Sequence, residues 1–250
     1  MQPPKQEPVD VSYDYRKDST GEAPHADASS PSLKAAHRAL WNKELPTKKL
    51  LSLNASGPDY LNATIDGLEF ALASDAIATS HPGRAEEVRN DVGPDVIEDF
   101  VRHGGTIGGR MVWPLRRIHK PTVNQARGTR VTISDRIDLT LEALKLWYTD
   151  SNAETPLTDV FNDYADWFAQ FGVGKEGWEG FIDFFLLQDI LDGSGSVRMF
   201  ANTTPTLIPT DAVEFAKYLE AQLSFVRARN QRIFDWCIDN DVPVVGGKAS

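Results

Sequence analysis

The strongest restriction on the fold is a long run of helical periodicity near the C-terminus, from about Asp211 to Asn240. Side chains recur there at alternating spacings of four and three residues, which places them on one face of an α-helix. The positions on this face are Leu219, Leu223, Val226, Asn230, Ile233 and Cys237. Such a stripe packs along a helical bundle or pairs with a second chain, so this helix is expected to organise the later half of the molecule.

Three segments before this helix also carry helical patterns. Ser134 is the expected N-cap of a helix that runs to Tyr148, whose apolar side chains are spaced by four, three and four residues. A second helix with a broad apolar stripe is predicted at about 156–171. A third, at about 178–191, is apolar on nearly all sides, and this pattern predicts a central buried helix.

The first half of the chain is expected to hold two helical regions and some β-structure. Ser32 is the expected N-cap of a helix that ends near Trp41. A helical region that opens at Pro82 is expected to break at Gly93–Pro94 and to end near Gly104. The residues at 106–114 and 121–123 favour β-structure and predict a hairpin or small sheet.

These patterns predict an α+β fold, a predominantly helical single domain with a small β-hairpin or sheet. The domain is expected at 33–240, followed by a C-terminal tail at 241–250. Residues 1–32 are poor in apolar side chains and are expected to form an extended, partly disordered arm. Within the arm, the alternating pattern of Val11 to Asp18 can dock as an edge strand.

Composition narrows the classes of function. The formal net charge of −10 disfavours generic DNA binding and attraction to anionic membranes. A single cysteine, Cys237, excludes an internal disulfide and fits a reducing compartment. The N-terminus has no apolar signal region, and there is no apolar run of membrane-spanning length, so a cytoplasmic protein without a membrane partner is expected.

Charge is concentrated in the segment from Asn124 to Glu142, directly before a predicted core helix. Arg127 and Arg130 are expected in a loop and Arg136 in the first helical turn. Guanidinium groups at a helix N-terminus bind phosphate or carboxylate groups well. With Asn124 as a further polar contact, they form a candidate site for a phosphate-bearing small molecule or an RNA fragment.

Two other interpretations of this segment remain open. Asp135, Asp138 and Glu142 share one helix face and are candidate ligands for a divalent metal ion. Alternatively, the arginines and carboxylates neutralise one another in a structural ion-pair network.

Two polar residues in apolar helices are candidates to join the arginines. Asp183 lies in the most apolar helix and Asn230 interrupts the last apolar stripe. If they are not part of a site, Asp183 pairs with an arginine and Asn230 fixes the register of its helix.

The usual catalytic signatures are absent. The chain has no Walker A lysine motif, no HExxH, no CxxC and no GxSxG. Its histidines are scattered singly, at positions 25, 37, 81, 103 and 119. These observations identify no cofactor and assign no enzyme activity.

Six motifs, in this order, carry a resemblance to a known family. They are TIGGRMVWP, VNQARG, ISDRIDLTLEAL, DVFNDYADWFAQFG, GFIDFFLLQDIL and FVRARNQRI. With this order and spacing, the chain resembles an uncharacterised bacterial family, a domain of unknown function. The resemblance also covers Tyr13–Asp18 and Ser30–Trp41, which implies that the N-terminal arm is ordered against the domain. It implies no activity, cofactor or substrate.

Three functions are compatible with these patterns. The first is a protein that binds an anionic small molecule at Arg127, Arg130 and Arg136. The second is a metal-assisted hydrolase or nuclease that uses the three carboxylates. The third is a non-catalytic interaction protein, whose last helix engages a partner or a second copy in a homo-oligomer.

Overall fold

The computed structural model describes residues 8–19, 29–56, 60–79, 86–115, 119–201 and 207–247. Its helices are α1 (Pro31–Trp41), α2 (Glu86–Asn90), α3 (Pro94–Gly104), α4 (Val123–Thr129), α5 (Ile137–Thr149), α6 (Thr158–Asp163), α7 (Ala165–Phe168), α8 (Gly174–Phe184) and α9 (Ala212–Asp239). The strands are β1 (Val9–Asp10), β2 (Ser52–Ser56), β3 (Tyr60–Ile65), β4 (Leu68–Ala76), β5 (Arg110–Pro114) and β6 (Val244–Val245). With 50% helix and 14% strand, the expected mixed fold with more helix than sheet is confirmed.

The main sheet is an antiparallel meander in the order β2-β3-β4-β5. Strands β3 and β4 are joined by Asp66 and Gly67, both with positive φ, as a two-residue hairpin requires. Strand β5 is buried along its whole length. The sheet is larger than the predicted one, because residues 52–76 supply three of its four strands.

Two predictions at the edge of this sheet are wrong. The strand expected from Thr106 begins only at Arg110, because Ile107–Gly109 form a 3-10 turn. The strand expected at 121–123 is instead the start of α4. Thr122 caps that helix and exchanges hydrogen bonds with Gln125 in a capping box, which fixes the helical start.

The expected helices exist, but several of their ends differ. Ser30 rather than Ser32 caps α1, since its Oγ accepts the Leu33 N–H at 3.0 Å. Ser134 caps no helix: it has left-handed φ, and α5 begins at Ile137 with Arg136 at the N-cap position. The helix expected at 156–171 is interrupted at Tyr164, and the one expected at 178–191 ends at Phe184, shortly before Leu186 with φ 55°. The break at Gly93 and the long α9 are confirmed, while the expected start of the earlier helical region at Pro82 lies outside the described residues.

The core joins the sheet to the helices through a cluster of aromatic rings. Phe181 lies 5.1 Å from Phe171 and 5.0 Å from Phe185, measured between ring centroids. Trp113 of β5 approaches Phe181 from the sheet at 6.1 Å. Each of these side chains is fully buried, so α8 contributes to the centre of the core as its apolar pattern predicts.

The two ends of the described chain meet. Val9 and Asp10 pair in parallel with Val244 and Val245, and Tyr15 is buried with its hydroxyl donating to the Asp10 carbonyl at 3.0 Å. This part of the N-terminal arm is therefore ordered, as the family resemblance implies, but its strand is at Val9–Asp10 and not at 11–18. No helix in the described ranges is long and apolar enough to cross a membrane.

Candidate functional site

The charged segment folds as α4, a tight loop and the start of α5. Arg127 lies in α4, and the expectation that it lies in a loop is wrong. Ser134 and Asp135 both adopt left-handed φ, of 53° and 57°. This conformation turns the loop back, so that the Asp135 N–H donates to the Arg127 carbonyl at 2.9 Å.

Arg127 is fully buried and contacts strand β4 of the main sheet. Its Nη1 donates to Asp75 Oδ2 of β4 at 2.8 Å, and its Nε donates to Thr140 Oγ1 of α5 at 3.1 Å. Its Nη2 lies 3.3 Å from Asp135 Oδ1 and donates to the Asp135 carbonyl. The guanidinium also lies over the ring of Trp113, 5.9 Å from its centroid. Arg127 therefore connects β4, the loop and α5.

Arg136 and Asp138 form a pair in which both side chains are fully buried. Arg136 Nε and Nη2 donate to the two carboxylate oxygens at 3.1 and 2.5 Å. Arg136 also donates to the carbonyls of Leu207 and Ala201, at 2.6 and 3.2 Å. Asp138 accepts the Phe200 N–H at 2.7 Å. The pair therefore fixes α5 to both of these later stretches of chain.

Arg130 has a different environment, on the surface. Arg130 forms a bidentate ion pair with Asp159, in which Nη1 and Nη2 donate to the two carboxylate oxygens at 2.5 and 2.8 Å. Nη1 also donates to the Pro156 carbonyl. Hydrogen bonding from Arg130 lowers the pKa of the Asp159 carboxyl. The three arginines of the candidate anion site thus have separate partners and do not converge on one open point.

The two buried arginines of the segment contact three carboxylates. Arg127 and Arg136 are matched by three carboxylates, those of Asp75, Asp135 and Asp138. The Tyr218 ring lies beneath Arg136 at 5.6 Å, and its hydroxyl is buried without a hydrogen-bond partner in the described residues. Burial, followed by the charge of Asp138, raises the pKa of Tyr218 well above its ordinary value.

The three carboxylates proposed as metal ligands have different surroundings. Asp135 lies beside Arg127, Asp138 is bonded to Arg136, and Glu142 lies further along α5 at a partly exposed position. Across the described ranges, no three histidine, cysteine, aspartate or glutamate side chains are grouped so that they could hold a metal ion.

Asp183 and Asn230 are bonded elsewhere. Asp183 is exposed and accepts a hydrogen bond from Gln188 Nε2 at 2.8 Å. Asn230 accepts the Gly108 N–H at 2.7 Å and donates to Thr106 Oγ1 at 2.8 Å. Asn230 thereby fixes the turn before β5 onto α9. Asn124, at a partly exposed position of α4, has a buried Oδ1 without a hydrogen-bond partner in the described residues.

Sequence reasoning missed a buried histidine–serine contact. His37 Nε2 lies 2.8 Å from Ser74 Oγ. Trp41 Nε1, which can only donate, bonds His37 Nδ1 at 3.0 Å, so in the neutral ring Nε2 carries the proton and donates to Ser74. Burial, with the charges of Arg229 and Arg110, lowers the pKa of His37 to about 3. His37 in this tautomer cannot act as a general base toward Ser74.

Arg229 of α9 is a second missed feature, because nothing in its helical pattern distinguishes it from a surface arginine. It is fully buried and donates to the carbonyls of Gly108, Arg110 and Phe185 at 2.8–3.3 Å. Burial lowers the pKa of Arg229 to about 9, while Asp189 acts in the opposite direction. Arg229 holds the start of β5 and the end of α8 onto α9.

The third missed feature is a surface cleft of about 460 Å³ along the outer face of α9. It is lined by Leu186, Asp189, Ala228, Gln231, Arg232, Asp235, Trp236 and Asp239. The α9 residues recur at helical spacing and form one face. Only the opposite, apolar face of this helix was visible as a sequence pattern.

Comparison with known proteins gives one match. The model of a family of unknown function, DUF6994, matches residues 9–233. No curated protein matches the chain, and no solved structure does. The match confirms the expected resemblance to a family of unknown function, while the bacterial source and the individual motifs stay expectations.

Proposed function

The chain belongs to DUF6994, a family of unknown function, and we propose from its geometry that it is a non-catalytic binding protein that takes a positively charged ligand on the outer face of α9. This proposal develops the expectation that the last helix engages a partner. The observation that carries it is the cleft along α9, whose lining combines carboxylates with the Trp236 side chain.

The dimensions of the cleft suit a ligand or a short peptide. Its volume of about 460 Å³ lies within the range of known binding pockets, roughly 300–1,000 Å³. A single helix supplies most of the lining, at Ala228, Arg232, Asp235 and Asp239. Residues on a rigid helix are held in fixed positions, so little ordering is needed when a ligand binds.

The charge of the cleft favours a cation. Asp189 forms a bidentate pair with Arg232, at 2.7 and 2.8 Å, and the two charges neutralise each other. Asp235 and Asp239 then leave the cleft with an excess of negative charge, on a chain whose net charge is −10. The Trp236 ring already contacts one amine, because Lys43 Nζ lies 4.2 Å from its centroid. Carboxylates beside an aromatic ring are the usual surroundings of bound amines.

The arginine segment gives less support to a ligand site. The donors of Arg127 and Arg136 are directed at protein oxygens, among them the carboxylates of Asp75 and Asp138. An incoming phosphate would therefore have to displace ion pairs inside the fold. The anion site stays a prediction, and the metal-assisted reaction has no grouped ligands in the described residues to support it.

Calorimetric titration with tetralysine tests the proposal, with tetraglutamate as the oppositely charged probe. We expect tetralysine to bind, and we expect the Asp235→Asn/Asp239→Asn variant to weaken binding by about tenfold, or ~1.4 kcal/mol. The matched control is Glu98→Gln/Glu179→Gln, which removes two exposed charges outside the cleft. If both double variants weakened tetralysine binding equally, the effect would come from the net charge of the protein and not from the cleft, and the site would be refuted. Absence of tetralysine binding would refute it as well.

A further inference from the structure

Lys43 has unusual surroundings for a lysine. It lies two residues after the end of α1, at a partly exposed position. Its Nζ lies over three aromatic rings, at 4.9 Å from the centroid of Trp41, 4.7 Å from Phe184 and 4.2 Å from Trp236. In the described residues these ring faces are its contacts, and no carboxylate pairs with it.

Ring faces satisfy an ammonium group only in part. They attract the positive charge, but they offer no oxygen to its three N–H donors. Removal of water costs a neutral amine less solvation free energy than a charged ammonium group, and the same holds for a neutral imine nitrogen. The cage therefore accommodates an uncharged nitrogen well, while its partly exposed position leaves a way in for a small reagent.

The electrostatics point in the same direction. Burial lowers the pKa of Lys43 to about 7, and Cys237 on α9 is the titratable group whose charge acts on it, in the opposite sense. Burial raises the pKa of the Cys237 thiol to about 11, so the thiol is neutral at neutral pH. From the elements that carry Trp41 and Phe184, a ring face lies over Nζ in each case.

We propose that Lys43 is a covalent binding site for small aldehydes, which it holds as an imine inside the three-ring cage. The lone pair of neutral Nζ attacks the carbonyl carbon, and one N–H proton passes through solvent to the carbonyl oxygen to give a carbinolamine. The hydroxyl then takes up a proton from solvent and leaves as water, while the second N–H proton is lost to solvent, leaving a C=N bond. The step needs no oxidant or reductant, and it does not depend on the ligand of the α9 cleft. Desolvated lysines are the usual nucleophiles of this chemistry.

Short exposure of the full chain to glycolaldehyde, ended by borohydride to trap the imine and followed by mass spectrometry to map the lysines, tests the proposal. At pH 7 an amine of pKa 7 is about half neutral, against about one part in three thousand for an ordinary lysine. Allowing about a hundredfold for lower basicity and restricted access, Lys43 is expected to react about tenfold faster than Lys48 or Lys175. These two lysines are matched controls, with side chains 82% and 80% exposed.

The pH profile and one variant make the test decisive. The Lys43 rate is expected to level off above about pH 8, whereas the Lys48 rate keeps rising toward pH 10. Trp236→Gln, which admits water and a hydrogen-bond acceptor to the cage, is expected to remove most of the preference for Lys43. Labelling spread evenly over the three lysines, parallel pH profiles, or an unchanged preference in a folded Trp236→Gln protein would each overturn the proposal.

Discussion

Replacing the buried Arg136–Asp138 pair by apolar side chains, and measuring the free energy of unfolding, tests whether this pair stabilises the fold or serves a ligand. Asp138→Leu leaves the Arg136 guanidinium buried without its carboxylate and leaves the Phe200 N–H without its acceptor. Removing one partner of a fully buried pair costs about 3–5 kcal/mol. Arg136→Met is expected to cost a similar amount, because it leaves the Asp138 charge buried.

The double variant Arg136→Met/Asp138→Leu is expected to be much less destabilised than the sum of the two single variants. Replacing both charges removes the uncompensated one, and the remaining loss is mainly that of the bonds to Leu207 and Ala201. Urea unfolding followed by circular dichroism measures the free energies. For a chain of this size, the single variants are expected to lower the melting temperature by roughly 6–20 °C.

The exposed Arg130–Asp159 pair is the matched control for this cycle. Its Asp159 side chain is 68% exposed, and exposed pairs contribute less than about 1 kcal/mol. Additive single variants at Arg136 and Asp138, each costing no more than the Arg130 control, would refute the structural role. The anion-site hypothesis would then regain support, since the arginine would be free to serve a ligand.

Two further predictions concern buried polar contacts. In the unfolded chain His37 takes up a proton below pH 6.5, while the folded protein keeps it neutral down to a pKa of about 3, so stability is lost as pH falls from 6.5 toward 3. Between pH 7 and 5 the wild-type protein is expected to lose about 2 kcal/mol more than His37→Gln in urea unfolding, and equal losses would contradict the burial of the neutral ring. Asn230→Ala leaves the buried Gly108 N–H without its acceptor and is expected to cost about 1–3 kcal/mol, whereas a surface change such as Gln231→Ala costs less than about 0.5 kcal/mol.

Elements fixed by local chemistry were predictable from the sequence. Helix α9 follows its apolar stripe over its whole length, and the break before α3 lies at Gly93–Pro94. Cap positions were less predictable, because tertiary contacts select between similar residues. Ser30 and Ser32 both donate to the Asp18 carboxylate, and only Ser30 also accepts the Leu33 N–H. The sheet at 52–76 was missed because its strands mix small and polar side chains with apolar ones.

The charged segment shows why burial is hard to read from local sequence. Its concentration of arginines and carboxylates was visible, but the partners that decide its role are distant. Asp75 lies 52 residues before Arg127, and the Leu207 carbonyl lies 71 residues after Arg136. No local sequence pattern indicates such partners.

The buried arginines also bear on where a ligand can bind. Arg127, Arg136 and Arg229 are fully buried, and each joins elements that are distant in the sequence through its hydrogen bonds. A guanidinium used in this way can serve a ligand only if that ligand replaces an internal partner, which costs several kcal/mol before any binding is gained. This cost is smaller on the outer face of α9, where Asp235 and Asp239 line a surface cleft and the Asp235 carboxylate accepts an exposed hydrogen bond from Gln231. Function on this scaffold is therefore best sought on the side of α9 that faces away from the core.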